Sequence, residues 1–456
     1  MDLRRLARRT AMRRPAVLAV TLPGATALRL EVEREVRRRG WPLAGTPAAA
    51  DLLVVCGAPG PGDSRWLDGV GQSMPEPAVR VAVTESGQSA HALGRARQEL
   101  IDRAVTGRDD RAVHTAPPEH GGGHAHPEPS GHDMHGTHDA QDMHGTHDMH
   151  GTHDAQDMHG THDMHGTHGA QDTHGMHDAI GTHDAHDMHA MGEIAGLPMA
   201  ERAQDRDALT LDQLHLPLGP ALPDWPAGLV LGLTLQGDVA QAVEVGHVPV
   251  PPGDRLPFWD APWLRAARGE QVTRDDAARR RCAAHLDSVG RLLAVAGWAD
   301  AAARCRRLRD EVLSGAPRER AGGELDRTLH RVRRSRPLRW SLAGLGHLPA
   351  DRARAAGVSG PALAANGDAH DRLLRWLSEI EAALEGLDDA QPLPPDDRTG
   401  PRGRLDGPRP PSAALLDVLP GLLTGSEFAC ARIILASLDP DLDELALAPL
   451  TEGAHA

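Results

Sequence analysis

Apolar residues near the N-terminus fall into three short unbroken runs, Pro15–Leu22 (PAVLAVTL), Ala50–Gly57 (ADLLVVCG) and Val79–Glu85 (VRVAVTE). A strand wetted on one side alternates apolar and polar positions, so continuous runs predict strands buried on both faces. The segments that follow each run carry apolar residues at helical spacing: 25–40 (ATALRLEVEREVRRRG), 64–74 (SRWLDGVGQSM) and 89–105 (SAHALGRARQELIDRAV). Gly40 marks the end of the first, because glycine accepts the left-handed conformation that closes many helices. Strands alternating with helices predict an α/β domain over residues 1–110, built on a short parallel sheet.

The pattern changes after residue 197. Residues 211–246 (LDQLHLPLGPALPDWPAGLVLGLTLQGDVAQAVEVG) are rich in alternating apolar positions and predict a β-hairpin region. Helical spacing follows at 275–314, interrupted at Gly297–Trp298, and again at 323–345 and 368–387, with Asp368 placed to cap the last. Gln391–Pro411 is a Pro/Gly-rich loop, and residues 412–445 hold a helix and a buried apolar segment. Residues 197–456 therefore read as an α+β, mainly helical domain that opens on a β-hairpin. Cys282 and His285, three residues apart on a predicted helix, read as a packing pair rather than a nucleophile and its base.

Between these regions, residues 111–196 lose all hydrophobic periodicity. They hold 20 of the 28 histidines and eight of the twelve methionines, in a unit typified by DMHGTHDMHGTHDAQ. Glycine recurs in nearly every hexad and little apolar area offsets the entropy of ordering, so the expectation is a disordered His-rich linker. Imidazole and thioether groups suit nickel, copper and zinc. The candidate ligands are His132, His135, His138, His144, His147, His150, His153, His159, His162, His165, His168, His174, His177, His183, His186 and His189, weak and interchangeable because nothing orients them. Imidazoles titrate near pH ~6.5, so the tract, with eleven Asp, is anionic above that and gains positive charge below it.

Composition narrows the functional classes. The formal charge of -15 leaves no large basic surface and argues against a nucleic-acid binder. The chain has no Lys or Tyr and only two Phe, so its cores must rest on Leu, Val, Ala and eight Trp. Four scattered cysteines without a C-x-x-C pair suit buried thiols in a reducing compartment. The Arg pairs before residue 15 resemble a twin-Arg export signal, but the apolar run behind them is short, holds Pro23 and passes into a charged helix. The expected location is cytoplasmic. GAPGPGD (Gly57–Asp63) follows a strand but lacks the Lys-Ser/Thr of a phosphate loop.

Several stretches together carry a resemblance. Leu218, Gly219, Pro220, then Leu235, Gly237, Asp238 and Val239 are similar to the opening hairpin of the large, 49-kDa subunit of NADH-quinone oxidoreductase. Asn366–Leu384 (NGDAHDRLLRWLSEIEAAL) resembles that family's helix with Gly-Asp followed by Asp-Arg, and LPGLLTGSEFACARIILASLDPDLDEL resembles its C-terminal end. ADLLVVCGAPG and WLDGVGQSMPEPAVRVAVTES, with Met74, Pro75, Glu76 and Pro77, are similar to the small iron–sulfur subunit of the same complex. The resemblance implies a fused, degenerate relative of these two neighbouring subunits, peripherally attached to the cytoplasmic membrane. Its implied partners are membrane subunits of a respiratory-complex-like or antiporter-like assembly, with quinone and NAD belonging to the whole complex.

The departures fall on the chemistry. The small subunit holds its cluster through four cysteines, whereas Cys56 is the only thiol in residues 1–110, so an iron–sulfur cluster is not expected. The quinone pocket of the 49-kDa subunit uses a His in the hairpin and a deeper Tyr; here the hairpin reads ALPDWPAG and no Tyr exists. The expectation is a non-catalytic structural subunit, with no catalytic or cofactor-binding residue assigned. The rival expectation is a nickel, copper or zinc storage or delivery protein acting through the His tract.

Overall fold

The computed structural model describes residues 12–106, 199–204, 210–251 and 255–447. The sixteen candidate histidines, His132 to His189, lie outside the described residues, as does the whole of the expected linker, residues 111–196. The described residues belong to one compact unit.

The first region is β1 (Val17–Thr21), α1 (Thr26–Arg39), β2 (Leu52–Cys56), α2 (Ser64–Gln72), β3 (Val79–Val83) and α3 (Ser89–Thr106). The strands form a parallel sheet in the order β1-β2-β3, with Val17 opposite Leu52 and Leu52 opposite Val79. All five residues of β2 are buried, as an unbroken apolar run between two neighbours requires. Val17, Leu52, Val54 and Val79 join Val32 and Val36 of α1 and Leu93 of α3 in one core, while Leu18, Val20, Leu53 and Val55 join Leu67 of α2 in another. Both faces of the sheet are therefore covered. Gly40 closes α1 at φ 65, where its amide bonds the carbonyl of Arg37.

The second region opens with β4 (Met199–Gln204), β5 (Thr210–Leu218), β6 (Leu229–Gln236) and β7 (Val239–His247), an antiparallel sheet in sequence order. The expected hairpin is thus part of a four-stranded sheet. Gly237 and Asp238 make the tight turn between β6 and β7, with Gly237 at φ 62. Then come α4 (Ala261–Ala267), α5 (Arg274–Val295), α6 (Ala299–Leu313), α7 (Arg318–Arg333), α8 (Arg336–Leu342), α9 (Ala350–Ala355), α10 (Gly360–Ala365), α11 (Ala369–Glu385), α12 (Pro411–Leu423) and α13 (Phe428–Leu438). Gly297 separates α5 from α6 at φ 82. The pattern at 323–345 resolves into two helices, because Ser335 accepts the amide of Leu338 and Pro337 begins a new first turn. Asp368 caps α11 in a reciprocal capping box with Asp371. One helical core gathers Leu286, Leu292, Leu308, Leu325, Leu377 and Ile380; a second joins the inner face of the β-sheet to α12 and α13.

Candidate functional site

Helix α1 has two unlike faces. Leu28, Val32 and Val36 meet the sheet, while Arg29, Glu33 and Arg37, spaced at i and i+4, point the other way. That charged face is covered by α5 and α6. Arg29 donates to Asp287 at 2.7 Å and to Glu33 at 2.8 Å. Arg309, fully buried, spans Asp287 at 2.5 Å and Glu33 at 2.9 Å. Arg37 pairs with Asp310, and Arg306 with Asp224 in the loop after β5. Asp287 also meets Arg291 at 3.1 Å, and Arg291 reaches Asp439 beyond α13 at 2.9 Å. Arg402 completes the chain, donating to the Asp439 carboxylate at 2.8 Å and to its carbonyl at 2.7 Å.

This seam runs from the α/β region through the helices to the C-terminal segment. Burial alone would raise the carboxyls of Glu33 and Asp287, but the surrounding guanidiniums outweigh it: Arg29 and Arg309 hold Glu33, and Arg29, Arg291 and Arg309 hold Asp287, well below the carboxylate range. Arg309 is raised in turn: burial opposes its charge, and Glu33, Asp287 and Asp310 overcome that. Beside the seam, Thr21, Arg29, Glu33, Pro220, Asp224 and Trp225 help line a polar cavity of about 50 Å³, room for a few waters.

A second buried polar centre lies by the same C-terminal segment. Carboxylate oxygens of Asp260, at the start of α4, and of Asp441 and Glu444 lie within 4.8 Å of one another, all buried. Both Asp260 oxygens, Asp441 Oδ2 and Glu444 Oε1 lack hydrogen-bond partners, and the nearest cation, Arg402, holds Nη1 3.9 Å from Asp441. Burial and then the neighbouring Asp441 push Asp260 up to about 7, and Glu444 is raised by burial and by Asp260. Asp443 turns toward α1, accepting the amide of Gly24 at 2.5 Å and the hydroxyl of Thr26 at 3.3 Å, and burial followed by Asp441 pushes it up to about 7.

Cys282 and His285 are both buried on α5. Burial pushes the Cys282 thiol up to about 12 and the His285 imidazole well down, which suits packing and not thiolate chemistry. His285, Arg372, Arg402, Ser437 and Asp439 line a cavity of about 10 Å³, the size of one water. Asp368, His370 and Asp371 sit close enough to suggest a cation, but Asp368 is spent on the amides of His370 and Asp371 as a helix cap. Cys56 ends β2, fully buried, and burial followed by Glu33 pushes its thiol up to about 12. One sealed, protonated thiol does not fit an iron–sulfur cluster. Gly219 of the resembling hairpin has φ 87, and a Cβ there would stand 2.2 Å from the Leu229 carbonyl, which instead accepts the indole N–H of Trp225.

The seam and the acid cluster went unread in the sequence. The signal for the seam was present in the alternation Arg29–Glu33–Arg37, which is also what a solvated helix face looks like.

No protein-family model matches the sequence, and no curated protein matches it. Among solved structures, a chain of the membrane-bound sulfane sulfur reductase (MBS), an archaeal respiratory membrane complex, is similar over 52% of this chain and 98% of its own length, at 15% identity and a TM-score of 0.38.

Proposed function

We propose that the chain is a non-catalytic structural subunit of a membrane-associated assembly like NADH-quinone oxidoreductase, in which its two described regions act as one rigid piece. The observation that carries this reading is the buried ionic seam. It lies between the region that resembles the small iron–sulfur subunit and the region that resembles the 49-kDa subunit, and it fills that junction with paired charges. The thiol inventory supports the same reading, since Cys56 is the only cysteine of the first region and is sealed from solvent. No helix among the described residues is long and apolar enough to cross a membrane, so attachment would be through partner subunits or through the surface.

The test is purification of the tagged chain from its own membranes in mild detergent. Co-purification of membrane subunits in fixed ratio, persisting after deletion of residues 120–190, is the expected result. Recovery of the chain alone, carrying nickel, copper or zinc that is lost with the same deletion, would replace this reading with metal handling by the His tract.

A further inference from the structure

Seven of the eight tryptophans are buried or half-buried, but Trp340 on α8 is 77% exposed. It stands in an unusual stretch: residues 327–350 hold six arginines and two histidines without one Asp or Glu, in a chain whose net charge is -15. Leu338 and Leu342 anchor α8 in the helical core, so Arg336, Arg339 and Trp340 are left on the outside. Arg333 is held by Glu381 at 2.7 Å and Arg331 lies over the Trp298 ring, whereas Arg336 and Arg339 pair with no described residue.

We propose that this patch is a docking surface for an anionic phospholipid headgroup layer. Free guanidiniums offer planar donors to lipid phosphates, and a tryptophan partitions to the headgroup level with its ring inward and its N–H wet. A protein partner is less well matched. A stable protein interface needs an apolar core, and the patch has one large apolar side chain, the only other exposed one among the described residues being Leu43. The proposal rests on the membrane-associated reading for its setting, but vesicles test it independently of any partner subunit.

The experiment is flotation of the full chain with vesicles of phosphatidylcholine alone or with a quarter phosphatidylglycerol, at low and physiological ionic strength. Binding is expected only with phosphatidylglycerol, and weaker as salt rises. Arg336→Gln with Arg339→Gln should weaken it about 25-fold, roughly fivefold for each cation removed. Trp340→Ala should weaken it further, while Arg336→Lys with Arg339→Lys should retain most of it; unchanged thermal unfolding confirms that these surface variants fold. Failure of the wild-type chain to bind anionic vesicles overturns the proposal, as does binding that all variants share. Loss of a co-purifying protein from the Gln variants, with no vesicle binding by the wild type, assigns the patch to an acidic protein partner instead and leaves the structural-subunit reading standing.

Discussion

The seam and the acid cluster are both buried polar centres, joined through Arg402, yet they are built on opposite principles. At the seam, Glu33 and Asp287 face Arg29, Arg291 and Arg309 at hydrogen-bond distance, and each charge stabilises the ionised form of its neighbour. In the cluster, three carboxyls have, among the described residues, a single guanidinium within 4 Å, one that already serves Asp439, and four oxygens are left without donors. Ionised carboxylates cannot all persist there, so protons must do in the cluster what arginines do in the seam. Two clusters of acids in one chain thus respond to pH in opposite senses.

The largest effect is expected from Asp287→Ala, which leaves three arginines buried against a missing partner and should cost about 3–5 kcal/mol in denaturant unfolding. If the loss is below ~1 kcal/mol, the seam is not holding the regions together. Next in size is Asp260→Asn. A carboxyl whose folded pKa is raised stabilises fully below its unfolded pKa of ~4 and loses that contribution as pH rises through the folded value. For Asp260 and Asp443, raised to about 7, stability should fall between pH ~4 and ~7 and then level off. Asp260→Asn should flatten that slope and gain about 1–3 kcal/mol near pH ~8, with little change near pH ~4. An unchanged slope in the variant would mean that Asp260 titrates in the folded protein as it does in the unfolded chain.

The seam carries the opposite sign. Glu33 and Asp287 have folded pKa values held below their unfolded ones, so their stabilisation is complete above pH ~4–5 and is lost only in stronger acid. Asp287→Asn, followed by circular dichroism from pH ~5 to ~2, should remove much of that acid transition. Gly228→Ala probes a different join: at φ 78 its added Cβ would meet Pro23 Cγ of the first region at 2.5 Å, for a loss of about 1–3 kcal/mol by thermal unfolding. Smallest of all is Arg333→Ala, which breaks an exposed bidentate pair with Glu381 and should change stability by about 1 kcal/mol or less.

Much of the fold was legible because it follows from local chemistry. The run LLVVC requires a strand covered on both sides, and the structure buries all five of its residues. Asp368 was readable as a cap, and Gly297 as a break between helices. The short helices α4, α9 and α10 were not read, since six or seven residues offer too few turns to show a periodicity. At the candidate site the sequence drew attention to thiols and histidines, while the buried chemistry proved to be arginine and carboxylate.

Local pattern was enough to establish the elements: apolar runs that must be strands and amphipathic spacings that must be helices. The environment of each charge came from packing alone. Arg29 and Glu33 would read the same on a wet helix as on a buried one; the packing of α5 and α6 over them takes them out of bulk solvent and makes them a seam. Asp260 and Glu444 stand 184 positions apart in the chain. Whether a carboxyl carries a proton or a charge depends on which distant groups fold against it, and no local pattern contains that distance.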